Sequence, residues 1–433
     1  MPSHAGLGGL SLPVPHEVRP PVTRAIPAEA PAGGNALPWV LLLVFLLLLF
    51  ANLPLLVPSL AAVAPAQTVA LAALGVLFVE TSIARRPFRL PGPEAYLLLA
   101  FLGAAAVSSF SALWMRHSVE QTLVLLRFVA IFLLLVNTVT SWRRLRVTLA
   151  VMVAAGLFPA LGALDNVRTG DLVEGRAYWL GFFANPNDLA FALVVLVPFA
   201  LFLALEAKGL ARIFFGATAA TFVVAIFTTY SRSGLIALTL VLLLCFLRWS
   251  RPWARVPGLL AMASLMVLVV ASQWDRPEGF AALVEDATVQ QRLDTVRAGA
   301  AMFADHPVLG VGLGGSLVGW PLYMPEGADS EGWLHSHNTF VQILAEGGIV
   351  GSALFLGLLA VALGKARRMA RGWRGRGRPE LDRASSALEI SLWGFLVCGL
   401  AGGYVLSWFP YLVVGLVSAA WLLPAPPPEE APP

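Results

Sequence analysis

Long apolar runs separated by short polar breaks recur along the whole chain. Their pattern shows neither the period of two of a half-buried strand nor the one-sided stripe of a soluble helix. "WVLLLVFLLLLF" (Trp39–Phe50), for example, is apolar on every side. A bilayer-crossing helix needs ~20 mostly apolar residues and the bilayer tolerates no unpaired backbone, so such runs predict a helical bundle in a membrane. About twelve spans are read at that length, near residues 38–60, 62–83, 94–112, 119–139, 146–164, 184–205, 211–229, 233–249, 256–274, 337–363, 386–404 and 407–423. The predicted fold class is an all-α integral membrane protein. Residues 1–37 contain no apolar run and are rich in Pro, Ala and Gly, which predicts a disordered tail, too long and too polar at its start for a signal peptide. Spans one to nine occupy 38–274, a long polar loop with short helices 275–336, spans ten to twelve 337–424, and a solvated tail 425–433.

Composition agrees. The chain is 58% hydrophobic and 12% charged, about half the charged share of a soluble domain. A net charge of +4 spread over short clusters between apolar runs gives no reason to expect nucleic acid. Lys and Arg divide about three to one between the two sides that alternating spans define, with Arg127 inside a span. The positive-inside rule makes the richer side cytoplasmic, with both termini there and the 275–336 loop facing away. Cys245 and Cys398 fall within apolar runs and read as core residues, with no disulfide framework.

The candidate chemistry lies on the external side. "GWLHSHNTFVQILAEGG" (332–348) places His335 and His337 where the polar loop becomes span ten. The positive end of a helix dipole disfavours imidazolium, and a neutral imidazole can act as a general base. The same spacing fits an interfacial or capping role, with Ser336 or Asn338 as N-cap. A metal site of His335, His337, Asp329 and Glu331 is a third reading, but no third histidine or cysteine stands at ligand spacing. Arg176, Arg232, Arg292 and Arg297 present forks suited to phosphate oxygens. Snorkelling, or pairing with Asp188, Glu285, Asp286 or Asp294, is the alternative for each. Arg232, in "TTYSRSGLIAL", is enclosed by apolar sequence and must find a partner.

Other features carry less. "GVGLGG" (310–315) follows no strand and reads as a turn. Gly347, Gly348 and Gly351 permit close helix packing, or access for a carrier lipid. Glu346 is an intramembrane carboxylate and therefore a functional candidate, about 180° around the helix from His337. Asn185, Asn187 and Asp188 cap span six or bind sugar hydroxyls.

"HNTFVQILAEGGIVG" fits the pattern H-N-x9-G-x-x-G, with His337, Asn338, Gly348 and Gly351 at its fixed positions. With "RLDTVRAGAAMFADHPVLGVGLGG" upstream, the long late loop and the span count, the chain resembles the O-antigen ligase family. The wider superfamily includes O-antigen polymerases and protein O-oligosaccharyltransferases. Arg292 matches the family's loop arginine, although the tryptophan often found four residues later is here Val296. The resemblance implies a glycosyltransferase of the bacterial inner membrane, metal-independent and without cofactor. It would transfer polysaccharide with inversion from undecaprenyl pyrophosphate to a sugar hydroxyl of the lipid A core, on the periplasmic face. His337 would be the base, Arg232, Arg292 and Arg176 would bind the donor pyrophosphate, and Asn338, Glu346, Gly348 and Gly351 would support them. A polymerase, or a ligase acting on protein, shares the chemistry. A secondary transporter is the reading from another class, but no internal repeat is found and the large loop follows span nine rather than dividing two halves.

Overall fold

A computed structural model describes residues 36–52, 55, 64–85, 87–90, 92–251, 255–260, 264, 287–328 and 334–425. Most of the predicted tails, the predicted span at 256–274 apart from a few residues, and parts of the 275–336 loop, including Asp329 and Glu331, lie outside these residues.

Thirteen helices of eight or more residues are seen among the described residues: α1 (Ala36–Ala51), α2 (Pro65–Ile83), α3 (Gly92–Ser108), α4 (Met115–Thr138), α5 (Trp142–Thr169), α6 (Pro186–Glu206), α7 (Gly209–Thr228), α8 (Arg232–Trp249), α9 (Ala287–Asp305), α10 (Gly315–Tyr323), α11 (Thr339–Gly375), α12 (Pro379–Cys398) and α13 (Trp408–Trp421). Polar residues at run boundaries set several of the starts. Ser141, Asn185, Ser231 and Asn338 each accept a backbone N–H of the first turn of α5, α6, α8 and α11 respectively.

Among the described residues, eight helices are long and apolar enough to cross a membrane, and α1 and α13 are apolar but shorter. The chain is a multi-pass helical membrane protein. The core gathers on α6 and α13, whose side chains are buried almost throughout. Around α6 pack α5, α7, α8 and α12; α13 lies against α4, α11 and α12; α3 covers α11. At the periphery, α2 and α7 expose Leu71, Phe78, Leu210 and Ile213, a cost in water that hydrocarbon removes.

Two boundaries differ from the sequence reading. The first run is interrupted: α1 stops at Ala51, Asn52 turns into the left-handed region, and its side-chain amide donates to Leu180 O at 2.8 Å. The run read as 386–404 is displaced, because α12 begins at Pro379 and ends at Cys398. Its charged first turns are stable because each carboxylate has an arginine: Asp382 pairs with Arg374, and Glu389 pairs with Arg248 and Arg367. Residues 399–407 are then free to form an irregular, mostly buried loop.

The segment 306–314 consists of turns, and it inserts beside a break in α11. At Gly348 the backbone leaves helical geometry (φ 58°, ψ −159°), a region open essentially to glycine alone. The break frees two carbonyls and two amides. Ala345 O and Glu346 O accept from Val311 N (2.9 Å) and Gly312 N (3.1 Å), while Ile349 N and Val350 N donate to Pro307 O (2.9 Å) and Val308 O (3.2 Å). A broken helix at membrane depth is tolerated only with such replacement. The approach is close enough that a Cβ on Gly348 would lie 2.4 Å from Val308 O, and one on Gly310 2.4 Å from Glu346 C.

Gly348→Ala is therefore expected to destabilise the protein by at least ~2 kcal/mol, combining backbone strain and collision. Gly351→Ala, whose new Cβ would meet nothing nearer than Phe101 at 3.6 Å, is expected to be close to neutral. Melting curves in detergent compare the two.

Candidate active site

Asn338 is the N-cap of α11: its Oδ1 accepts from Phe340 N (2.9 Å) and Val341 N (3.1 Å), and its Nδ2 donates to Leu400 O (3.2 Å). The cap makes the chain turn at His337, which is left half-buried outside the first helical turn. The 399–407 loop is fastened to the same place. Thr339 N donates to Gly399 O, Thr339 Oγ1 donates to Gly402 O at 2.6 Å, and Tyr404 N donates to Thr339 Oγ1 at 2.9 Å.

Helix α9 brings Arg292. Gly299 of α9 packs on Val341 of α11, so closely that an ideal Cβ on Gly299 would lie 2.5 Å from Val341 Cγ1. Arg292 precedes Gly299 by two helical turns and shares its face, and His337 precedes Val341 by one turn's worth of chain. The guanidinium charge acts on both His337 and Tyr404. Burial, then the Arg292 charge, then His335 together push the His337 imidazole down to about 4, so it is neutral near pH 7. His335 is also lowered, by burial and by His117 at the start of α4.

Arg176 and Arg232 stand at a neighbouring corner. Arg176 Nε donates to Thr229 O and Nη2 to Asn187 Oδ1, both at 2.8 Å. Ser231 Oγ donates to the same Asn187 oxygen at 2.7 Å while capping α8, whose first residue is the exposed Arg232. Next along α6, Asp188 Oδ1 accepts from the Tyr404 hydroxyl at 2.7 Å. Asn187 and Asp188 thus link the arginine corner to Tyr404, and Tyr404 leads through Thr339 to the start of α11. Burial and the Asp188 carboxylate raise the Tyr404 hydroxyl well above its ordinary value, so it remains a donor.

The remaining candidates sit deeper. Glu346 is buried and accepts from Gly314 N (2.9 Å), the Ser316 hydroxyl and Gln342 Nε2 (3.3 Å). Gln342 Oε1 in turn accepts from Val405 N at 3.2 Å. Glu346 therefore ties the 310–316 turn, α11 and the 399–407 loop together. Gly348 forms the break, and Gly351 faces Phe101 of α3. Arg297 pairs with Asp294 at 3.1 Å and lies mostly exposed. The sequence reading missed Tyr404, Thr339, Ser231 and His117. The glycine pair in "GLAGGYVLSW" was the one available sign that the eleventh apolar run breaks before Tyr404.

Residues 216–356, from α7 to the middle of α11, match the family model described as O-antigen ligase. Over these residues the chain is similar to the O-antigen ligase family. The matched stretch contains Arg232, Arg292, His337, Asn338, Glu346, Gly348 and Gly351, whereas Arg176, Asp188 and Tyr404 fall outside it. Members of this family are glycosyltransferase-like enzymes that handle lipid-linked glycans in a membrane. A search of curated proteins found no match to the chain.

Replacing Arg292 with Ala removes a positive charge that opposes protonation of His337. The His337 midpoint, near 4 in the intact protein, is expected to rise toward the ordinary histidine value, as followed by NMR of ring-labelled histidine. An unchanged midpoint would mean that Arg292 does not face His337.

Proposed function

We propose that the protein is an O-antigen ligase. It would transfer a finished polysaccharide from undecaprenyl pyrophosphate to a sugar hydroxyl of the lipid A core, on the periplasmic face of the bacterial inner membrane. The observation that carries this reading is the packing of α9 on the start of α11, which brings a guanidinium charge to bear on a neutral imidazole inside the family-matched region.

The chemistry requires two things of the protein. The acceptor hydroxyl must lose its proton as its oxygen attacks the anomeric carbon, and the departing pyrophosphate must be stabilised as it takes up the electrons of the broken C–O bond. His337 accepts the proton on its free ring nitrogen. Arg292, Arg232 and Arg176 hold the pyrophosphate oxygens, acting as fixed charges that need little reorganisation when the bond breaks. A single displacement inverts the anomeric carbon. The low proton affinity of His337 in the free protein is suited to a site that receives a dianionic pyrophosphate, since the bound anion would raise it again toward the working pH. Both termini would be cytoplasmic, consistent with the distribution of Lys and Arg.

His337→Ala is expected to lower transfer by about 10²–10⁴-fold, the usual worth of a general base. Arg292→Ala is expected to lose about 10²–10³-fold, and Arg292→Lys to recover only part of it, because an ammonium lacks the fork. The assay uses purified protein with the lipid-linked donor and lipid A-core acceptor in the presence of EDTA. In cells lacking the protein, a lipopolysaccharide gel should show core without attached units, with long chains remaining on the carrier lipid. Core bearing one repeat unit would point to polymerisation instead, and full transfer by His337→Ala would remove the base assignment.

A further inference from the structure

At the end of the bundle opposite His337, the start of α5 ("SWRRLR", 141–146) meets the end of α11 ("ARGWRGRGR", 370–378). The contact is an aromatic corner: the rings of Trp142 and Trp373 stand edge to face with centroids 5.9 Å apart. Arginines surround it. Arg146 lies four residues beyond Trp142, on the same face of α5, and the Arg376 guanidinium carbon sits 5.3 Å over the Trp373 ring. Arg143 and Arg371 stand next to the two tryptophans in their helices, and Arg143, Arg146, Arg371 and Arg376 are all exposed.

The carboxylates of the neighbouring helix ends are already engaged. Asp382 is held by Arg374 (3.1 Å), Glu380 by Arg378 (3.7 Å), Glu206 by Arg383, and Glu389 by Arg248 and Arg367. Among the described residues, Arg143, Arg146, Arg371 and Arg376 form no ion pair, so four positive charges stand on this surface, while the Glu80 carboxylate acts on the neighbouring Arg144. Insertion topology alone explains arginines on this side, but it does not explain their gathering around a tryptophan pair contributed by two distant parts of the chain.

Depth indicates the partner. Arg143 and Arg146 immediately precede the apolar run of α5, and the Trp142–Trp373 contact holds the end of α11 at the same level. Tryptophan rings favour the headgroup layer. Guanidinium forks at that level match phosphate oxygens, and clustered basic residues recognise anionic lipid there. We propose that the Trp142–Trp373 corner, with Arg143, Arg146, Arg371 and Arg376, is a binding site for the phosphate headgroup of an anionic phospholipid.

The test is native mass spectrometry of the full-length protein in detergent, titrated separately with dioleoyl-phosphatidylglycerol, dioleoyl-phosphatidylcholine and inorganic phosphate. The intact protein should bind phosphatidylglycerol at least tenfold more tightly than phosphatidylcholine, and inorganic phosphate more weakly than either. The combined Arg143→Ala, Arg146→Ala, Arg371→Ala and Arg376→Ala variant should lose that preference, while Arg116→Ala with Arg168→Ala at the other end should keep it. If the fourfold variant does not fold, Arg143→Gln with Arg146→Gln should still reduce the preference by at least threefold. Equal binding of the two lipids by the intact protein, or an undiminished preference in the variants, would overturn the proposal. Inorganic phosphate binding as tightly as phosphatidylglycerol would make this a free-anion site and overturn the lipid assignment.

Discussion

The break in α11 at Gly348 is the constraint on which the rest of the site depends. A helix interrupted at membrane depth must recover its backbone hydrogen bonds from another part of the chain. Here the turn at 307–312 provides them, with two carbonyls and two amides satisfied across the gap. Because that turn directly follows α9, the same contacts fix where α9 lies, and therefore where Arg292 lies relative to His337. Glu346, two residues before the break, adds a side-chain tie to Gly314 and Ser316. The loop is thus part of the bundle's hydrogen bonding and not an appendage to it.

The same economy governs the other half of the site. Asn187 receives both Arg176 and Ser231, and Ser231 is also the cap of α8. Thr339 joins the first turn of α11 to the backbone around Tyr404. Groups that terminate helices are therefore the groups that position the charged side chains. This is expected where capping residues are among the few polar groups at a membrane surface.

Much of this was legible in the sequence because it rests on local rules. Uninterrupted apolar runs gave the helices, "GVGLGG" read as a turn, and the caps were narrowed to Ser336 or Asn338 and to the group Asn185, Asn187 and Asp188, of which Asn338 and Asn185 are the ones that cap. The His-Asn-Gly pattern pointed to the same family whose model matches residues 216–356. What was not legible depends on contacts between distant segments. Tyr404 was hidden because the glycine pair before it marks a break in the apolar run but not what the broken chain packs against, and α12 stops early to let residues 399–407 fold back. Glu346 stood out as an intramembrane carboxylate, but its partners, Gly314 and Ser316, lie about 30 residues away in the chain and follow no spacing rule. Likewise, nothing in the spacing of Arg176, Arg232 and Arg292 states that two of them share a corner and the third faces a histidine.

The claim that the segment following α9 is docked into α11, so that Arg292 faces His337, is tested most directly by a cross-link. An ideal Cβ on Gly299 lies 3.9 Å from Val341 Cβ, within the range that a disulfide spans. Gly299→Cys combined with Val341→Cys should oxidise nearly completely in native membranes, while each single variant stays reduced. Failure of the pair to cross-link, with both thiols open to maleimide in the folded protein, would contradict the packing of α9 on α11.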